Sequence, residues 1–249
     1  MQLKNKVCLV TGGTKGIGAA TAIALAEQGA DLAVVARHMD AEAKQTSRRI
    51  EALGRKCLLI SADMGKPDDA TRCVEQTAAQ YGTVDVLVHA AGGPVPGRLF
   101  EITPQMWHNT FDVHVHAIFY LCRAAIPFMK KKKEGAIILV SSTAGIRGLK
   151  NNVAYQAAKG AVPQITRALA FEFADDNIRI NCVAPGVVRT AFHDTMPPEV
   201  KKNNLENRIP LHREGVPEHV ATVIREMVTN DYITGETFVI DGGLTMRIC

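Results

Sequence analysis

The chain has 249 residues, of which 47% are hydrophobic and 22% charged, a composition that suits one large α/β domain. Its net charge of +4 is too small to indicate a nucleic-acid-binding surface. Because residues 1–6 are polar and no apolar run is long enough for a secretory core or a bilayer span, we expect neither a signal peptide nor a membrane partner.

Short apolar runs alternate with longer segments of helical period along the whole chain. The strand-like runs are 7–10, 32–36, 57–60, 84–89, 136–140, 178–183 and 237–240. The helical patterns are 17–28, 41–53, 70–80, 106–129, 153–173 and 217–228. This rhythm predicts a doubly wound Rossmann-type α/β fold with a mostly parallel sheet of about seven strands flanked by helices. Since no repeat or linker divides the chain, we expect a single domain over residues 1–249.

Cysteine and lysine usage also bears on the environment of the protein. Cys8, Cys57 and Cys182 lie inside strand-like runs, where cysteine commonly serves as a small hydrophobe. The six cysteines show neither CxxC pairing nor metal-ligand spacing, so we predict no metal site and a reducing, cytoplasmic environment. Four consecutive lysines at 130–133 are typical of the solvated C-terminal end of a helix.

A glycine-rich turn follows the first predicted strand directly. Residues 11–18 read Thr-Gly-Gly-Thr-Lys-Gly-Ile-Gly, so the glycine spacing is Gly-x-x-x-Gly-x-Gly. Glycines at a strand-to-helix turn let backbone N–H groups approach a pyrophosphate, and the helix N-terminus favours its negative charge. The turn lacks the Gly-Lys-Ser/Thr ending of a P-loop. We predict a dinucleotide site here.

The end of the second predicted strand bears on which dinucleotide binds. Many NAD-binding folds carry a carboxylate at this point for the ribose 2′-hydroxyl, whereas this strand ends in Ala36, Arg37 and His38. Arg37 can grip a 2′-phosphate with two N–H bonds, and Lys15 in the glycine turn can add a second cation. NADP is therefore predicted over NAD, with the alternative that both cations are ordinary surface residues.

Ser142, Tyr155 and Lys159 form a candidate catalytic set. Tyr155 and Lys159 are four residues apart and so share a helix face, and Ser142 follows the apolar run 136–140. An ammonium beside a phenol can pull its pKa down from about 10, which would let tyrosine exchange a proton near neutral pH. A nearby serine hydroxyl can hold the reacting oxygen. On its own, Tyr-x-x-x-Lys spacing can also arise by chance on any helix.

Two further features stand out towards the C-terminus. Pro163 lies inside the predicted helix 153–173, where it cannot bond the carbonyl of Lys159, so we expect a local kink. Residues 187–216 are proline-rich, polar and weakly periodic. So long a segment inside a compact domain predicts a substrate loop or lid, or else an irregular connection that carries one short helix.

Together these motifs resemble the classical short-chain dehydrogenases/reductases over essentially the whole chain. The glycine turn, the Tyr-x-x-x-Lys pair and the preceding serine match the family pattern, and the serine falls on Ser142 rather than Ser141. The Pro-Gly turn after the sixth strand and the closing Asp-Gly-Gly at 241–243 match as well. The resemblance implies these cofactor-binding residues: Thr11, Gly12, Thr14, Lys15, Gly16, Ile17, Gly18, Arg37, His38, Asp63, Met64, Ala90, Ala91, Gly92, Tyr155, Lys159, Pro185, Gly186, Val188 and Thr190.

What the resemblance implies is hydride transfer between NAD(P) and an alcohol or carbonyl carbon. Tyr155 would be the general acid for reduction and the base for oxidation. Lys159 would lower the pKa of the tyrosine and hold the nicotinamide ribose, while Ser142 would bind the substrate oxygen. Many members of the family are tetramers, so a homo-oligomer, either tetramer or dimer, is expected.

The chain departs from the family pattern at two places. The family usually has Asn-Asn-Ala-Gly after the fourth strand, and this chain has His89, Ala90, Ala91 and Gly92. The family's fourth catalytic residue, an asparagine that anchors a proton-relay water, falls on His114. Histidine can donate and accept, so we hypothesise that His114 is catalytic and replaces the asparagine in the relay. The alternative is a satisfied interior histidine.

The substrate is less well indicated than the chemistry. The pocket is expected between residues 93–98, residues 142–150 and the loop after Pro185. Three basic residues of these segments would suit an anionic or polyhydroxylated small molecule. They are Arg98, Arg147 and His193. Three apolar residues would equally suit an apolar substrate. They are Phe192, Met196 and Leu205. Three functions remain open: an NADP-dependent reductase or dehydrogenase of a small ketone, sugar, polyol or hydroxy compound; a 3-oxoacyl-(acyl-carrier-protein) reductase; and a non-catalytic nucleotide sensor.

Overall fold

The computed structural model describes residues 1–190 and 196–246. Seven strands form one sheet in the order β3-β2-β1-β4-β5-β6-β7, and every neighbouring pair is parallel. The strands are β1 Val7–Thr11, β2 Asp31–Ala36, β3 Cys57–Ser61, β4 Val86–His89, β5 Gly135–Val140, β6 Ile178–Pro185 and β7 Thr237–Ile240. The predicted doubly wound sheet is confirmed.

Helices connect the strands and cover both faces of the sheet. They are α1 Gly16–Glu27, α2 Ala41–Ala52, α3 Pro67–Tyr81, α4 Pro104–Phe111, α5 Ala117–Lys132, α6 Val153–Glu172, α7 Pro198–Asn203 and α8 Pro217–Thr229. Between α4 and α5 the chain makes a π-helical turn, Asp112–His116. The predicted helix 106–129 is therefore two α-helices joined by a wider turn.

Alternation along the strands divides the core into two layers. Leu9 of β1 faces a cluster that includes residues of α3, α5 and α6. Its neighbours Cys8 and Val10 face the other cluster, which includes residues of α1, α2 and α8. Burial on both faces explains why the strands are continuous apolar runs instead of alternating ones.

The strand order reverses between β1 and β4, which makes this the topological switch point of the sheet. Thr11 and His89, the last residues of these two strands, are register partners there. In open α/β sheets a ligand binds in the crevice outside the carboxyl ends of the strands at such a point. The fold thus places the expected site above Thr11 and His89.

The segment 187–216 is held together at its base. Val188 and Gly215 form an isolated parallel bridge, and the Arg189 guanidinium bonds to the buried Glu214 carboxylate at 3.2 Å. The segment contains α7 and a π-helical turn, Asn204–Arg208. Of the predicted pocket residues, Phe192 and His193 lie outside the described residues. Within the described ranges, no helix combines the length and the apolar character that a membrane span requires.

Candidate active site

The glycine turn after β1 is closely packed and leaves no room for side chains. A Cβ on Gly18 would lie 2.1 Å from the carbonyl oxygen of Gly12, and one on Gly12 would lie 2.8 Å from Cα of Ala91. Gly12 and Gly16 also have positive φ angles of 65° and 51°, which favour glycine. The turn therefore presents bare backbone at the N-terminus of α1, as a pyrophosphate cradle requires.

The two predicted phosphate-binding cations beside this cradle differ in their surroundings. Arg37 is exposed just beyond the end of β2. Lys15 instead contacts two carboxylates at the start of α2, Asp40 at 2.8 Å and Glu42 at 2.5 Å. Asp40 also caps α2 by accepting the Ala43 N–H at 3.0 Å. These acidic partners of Lys15 were not anticipated from the sequence, since only their position three and five residues after Arg37 signals them.

The two adjacent serines after β5 have different contacts. Ser141 is buried, and its hydroxyl donates to the main-chain carbonyl of Lys159 at 2.7 Å. Ser142 is partly exposed, and its oxygen accepts the Ala144 N–H at 3.1 Å. The Ser142 side chain also hydrogen-bonds Tyr155. The structure therefore brings Ser142, and not Ser141, to the tyrosine, as the resemblance implies.

Lys159 lies beneath the tyrosine on the same face of α6. Its ammonium is 5.8 Å from the centre of the Tyr155 ring and donates to the Val140 carbonyl at 2.7 Å. Burial lowers the pKa of Lys159 to about 8 because the charged form loses hydration. The ammonium is consequently present at neutral pH but is lost in mildly alkaline solution.

The sequence predicts a lowered pKa for Tyr155, and this prediction is wrong for the ligand-free protein. Burial raises the pKa of Tyr155 to about 12, and the hydrogen bond to Ser142 opposes that change. The phenolate would have to form in an environment that excludes water, and this cost exceeds the help available there. Tyr155 is therefore a neutral phenol at physiological pH, the form that can donate a proton.

Both histidines that replace family asparagines lie in the site. His114, on the π-helical turn, is buried and meets Tyr155 edge-on, with ring centroids 5.4 Å apart and planes at 87°. Its Nε2 bonds to the Gly93 carbonyl at 3.1 Å. His89, at the end of β4, is also buried and contacts the Thr11 hydroxyl at 2.8 Å. The proton relay through His114 remains a prediction.

The remaining predicted cofactor residues surround the same edge of the sheet. Pro185 ends β6, and the N–H of Gly186 bonds the carbonyl of Ile240 at 2.9 Å. The methyl of Thr190 packs close to Gly16, since a Cβ there would lie 3.0 Å away. Beyond β3, Asp63 accepts the Gly65 N–H at 3.0 Å. On the segments that follow β1, β2, β3, β4 and β6 lie the other predicted residues, Thr14, Ile17, His38, Met64, Ala90 and Val188.

A cleft near the N-terminus of α6 is lined by parts of two of the three segments expected to form the substrate pocket, but neither Ser142 nor Tyr155 lines it. It has a volume of about 500 Å³ and lies between residues 97–99 and residues 149–153. Arg98 lines it and donates to the Asn151 side chain at 3.2 Å. Arg147 is turned to the C-terminal segment, where it donates to the Thr245 carbonyl at 3.1 Å. Met196 accepts the side-chain N–H of Asn204 at 3.4 Å, and Leu205 is half-buried.

The lysine run at 130–133 lies at the opposite edge of the sheet. Lys132 contacts the buried carboxylate of Asp85, just before β4, at 2.5 Å. Lys130 contacts Asp176, just before β6, at 2.9 Å. These acids precede their strands, whereas Ser142 and the glycine turn follow theirs. The run therefore ends α5, as predicted, and lies far from the candidate site.

Comparison with known proteins agrees with this geometry. A family model described as enoyl-(acyl carrier protein) reductase matches residues 12–245. Human dehydrogenase/reductase SDR family member 4 is 34% identical over 99% of this chain and 90% of its own. The chain belongs to the short-chain dehydrogenase/reductase family. A second member, 3-oxoacyl-(acyl-carrier-protein) reductase FabG of Thermotoga maritima, is 34% identical over 99% of this chain and 100% of its own.

A solved structure extends the likeness to the whole fold. L-sorbose reductase of Gluconobacter frateurii, complexed with NADPH and L-sorbose, is 28% identical, superposes with a TM-score of 0.92 and covers 100% of both chains. The chain is thus an oxidoreductase of the short-chain dehydrogenase/reductase family.

Proposed function

We propose that the protein reduces the carbonyl of a small ketone, a sugar or polyol derivative, or a related hydroxy compound, with NADP(H) as the hydride carrier. The observation that carries this proposal is the neutral phenol of Tyr155, bonded to Ser142 and close to the Lys159 ammonium. A neutral phenol beside a fixed cation is arranged to donate a proton to a developing alkoxide.

Each residue of the set then has a distinct task. Ser142 bonds the substrate oxygen and holds it next to Tyr155. Tyr155 donates its proton to that oxygen during reduction, and Lys159 stabilises the phenolate that remains. When bound, the nicotinamide supplies the hydride. In the oxidation direction the tyrosine would have to lose its proton first, which its raised pKa opposes.

The residues present fit a dinucleotide, and two observations favour NADP over NAD, namely the position of Arg37 and the cofactor of a relative. The fit to a dinucleotide rests on the glycine turn, whose backbone is bare because a Cβ on Gly12 or Gly18 would collide with main-chain atoms. Arg37 is exposed beyond β2, where a carboxylate would repel a 2′-phosphate. Lys15 would join it only by leaving Asp40 and Glu42, so Arg37 is the principal phosphate contact. A relative of the same fold is complexed with NADPH.

A 3-oxoacyl-(acyl-carrier-protein) reductase is the second candidate, since a relative covering the full chain carries that name. An acidic carrier needs a basic surface near the pocket mouth. The lysine run does not supply it, because it lies at the far edge of the sheet. Arg98 and Lys150, which both line the cleft, are better placed.

We also propose a cytoplasmic homo-oligomer. Apolar side chains are exposed on the long helices, with Phe171 at 90% and Phe119 at 56% exposure. A second copy that covered them would remove apolar surface from water. The five described cysteines are free thiols, as a reducing environment maintains. Sedimentation of the purified chain measures its assembly.

One panel tests the proposed function. Ketones, sugars and 3-oxoacyl thioesters are each assayed with NADPH and NADH, and the corresponding alcohols with NADP⁺ and NAD⁺. We expect NADPH-dependent reduction of a small carbonyl compound. Turnover restricted to carrier-bound thioesters would establish the second candidate, and a lack of turnover with every compound, despite cofactor binding, would leave a nucleotide sensor.

A further inference from the structure

Two histidines link the segment after β4 to the π-helical turn in a reciprocal way. His89 Nε2 contacts the carbonyl of Val113, on the turn, at 3.0 Å. His114 Nε2, from the turn, contacts the carbonyl of Gly93, after β4, at 3.1 Å. Each side chain thus holds the backbone of the segment that carries the other.

The partners fix where the imidazole protons lie. A carbonyl can only accept a hydrogen bond, so the Nε2 atom of each histidine must carry the hydrogen. His89 Nδ1 is then an acceptor and receives the hydroxyl of Thr11 at 2.8 Å. The Thr11 oxygen in turn accepts the Ala91 N–H at 3.3 Å. A directed chain of hydrogen bonds therefore runs from the segment after β4, through Thr11 and His89, to Val113.

His114 differs from His89 in having an unused acceptor. Its Nδ1 is buried and has no hydrogen-bond partner among the described residues. The ring lies over Gly92, since a Cβ there would be 2.1 Å from Cε1 and 2.6 Å from Nδ1 of His114. On its other side the ring meets Tyr155 edge-on. The imidazole therefore fills the space between the segment after β4 and the catalytic phenol.

The surroundings keep both rings neutral. Burial, reinforced by the Lys159 ammonium, lowers the pKa of His89 to about 4 and that of His114 to about 2. The groups that face them are this ammonium, the neutral phenol of Tyr155 and each other. A charged imidazole would also lose an acceptor that the chain through Thr11 needs.

We propose that His89 and His114 are positioning residues that act as one unit, a neutral pair that fixes residues 90–93 against the π-helical turn and the ring of Tyr155. The inference rests on the proposed function, because those residues form the cofactor wall of the site. The Nε2 proton of His114 is then held in the hydrogen bond to the Gly93 carbonyl, so His114 does not pass protons to Lys159.

The first test reads the tautomers directly and needs no substrate. Side-chain ¹⁵N NMR of the whole, ligand-free protein should show both histidines as neutral Nε2–H forms that do not titrate between weakly acidic and weakly alkaline pH. The exposed His108 on α4 provides an internal reference. Titration of His114 in that interval, or its Nδ1–H form, would overturn the proposal. An enzyme inactive on every carbonyl would leave this result untouched and refute only the proposed function.

The second test asks whether the two residues act as a unit. NADPH Kd, and kcat on any accepted carbonyl, are measured for three variants: His89→Asn, His114→Asn and the double variant. His108→Asn is the control. Each single change should weaken NADPH binding by about tenfold, since the asparagine amide ends short of the position of Nε2 and the buried carbonyl therefore loses its donor. The double variant should bind at least about threefold better than the product of the single effects predicts. Strictly multiplicative effects would contradict the proposal.

The pH profile separates positioning from proton relay. A relay through His114 requires the inflections of kcat against pH to move in His114→Asn. Positioning predicts a lower kcat with unchanged inflections, because the titrating groups remain Tyr155 and Lys159. His114→Phe, which keeps a ring against Tyr155 but loses the donor, should retain more kcat than His114→Asn while binding NADPH equally weakly. A shifted profile would overturn the proposal.

Discussion

The hydroxyl of Ser141 bonds the carbonyl of Lys159, whose usual partner along the helix is missing. Pro163 stands four residues further along α6 and has no N–H to offer, and Ser141 donates to the carbonyl instead at 2.7 Å. Gly145 packs on the same group, since a Cβ there would lie 2.6 Å from the carbonyl oxygen. The helix continues as one element from Val153 to Glu172.

We expect Ser141→Ala to lower the free energy of unfolding by about 1–3 kcal/mol, because a buried carbonyl loses its side-chain donor. In a Pro163→Ala background the loss should be smaller, since alanine has a backbone N–H that can bond the same carbonyl. Denaturant unfolding measures both, with the exposed Ser61→Ala as control. Equal losses in the two backgrounds would contradict this account.

Tyr155→Phe should lower kcat by about 10²–10⁴ because it removes the proton donor. NADPH affinity should change little, since the ring and Lys159 remain. Tyr232, 97% exposed, provides the matched control Tyr232→Phe. If Tyr155→Phe kept full turnover, the catalytic assignment would be lost.

Arg37→Asp should exchange the cofactor preference. Loss of a charge-assisted phosphate contact is worth about 1.5–3 kcal/mol, or about 10–150-fold in NADPH affinity. The new carboxylate can also accept from the ribose 2′-hydroxyl of NADH. The ratio of kcat/KM for the two cofactors measures the exchange. Arg48→Ala, at an exposed position of α2, serves as control. An unchanged ratio would mean that Arg37 is a surface residue with no role in cofactor choice.

Carbonyl reduction should slow as the pH rises through about 8, where Lys159 loses its charge. The lysine pKa is depressed, so the ammonium that stabilises the phenolate is complete below this pH and absent well above it. The pH dependence of kcat/KM for reduction measures this in the free enzyme. A rate that stays constant until Tyr155 itself titrates would contradict it.

Acid should destabilise the fold from a higher pH than carboxylates alone would produce. The pKa of His89 is depressed to about 4 in the fold and is about 6.5 in the unfolded chain. Between these values the unfolded chain binds more protons, so His89 alone makes stability fall with falling pH by up to about 1.4 kcal/mol per unit. Denaturant unfolding at several pH values measures the slope, which His89→Asn should reduce.

The sequence predicted the sheet well because strands buried on both faces are read directly as apolar runs. It also singled out Ser142, Tyr155 and Lys159, which the structure brings together, while their catalytic role stays a prediction. It did not predict the π-helical turn, since a wider turn leaves the helical period of 106–129 nearly unchanged. The pKa of Tyr155 could not be predicted either, because burial dominates it and burial depends on the whole fold.

The hydrogen bond from Ser141 to the Lys159 carbonyl is predictable from the sequence. Pro163 already indicated that the Lys159 carbonyl needs an outside donor, and an adjacent pair of serines offered one hydroxyl for that task and one for the substrate. The partners of Lys15 were harder to foresee, because they depend on how α2 begins relative to the glycine turn.

The hydrogen bond between Thr11 and His89 also limits how a cofactor can enter. These register partners are joined by strand pairing and by their side chains, directly beneath the crevice at the switch point. Main-chain and side-chain bonds thus both hold the floor of the crevice together, and we expect these strands to stay paired when a dinucleotide binds. We therefore expect entry and release of the cofactor to depend on motion of the loops above the sheet edge, so a change that stiffens these loops should slow turnover without altering the chemistry.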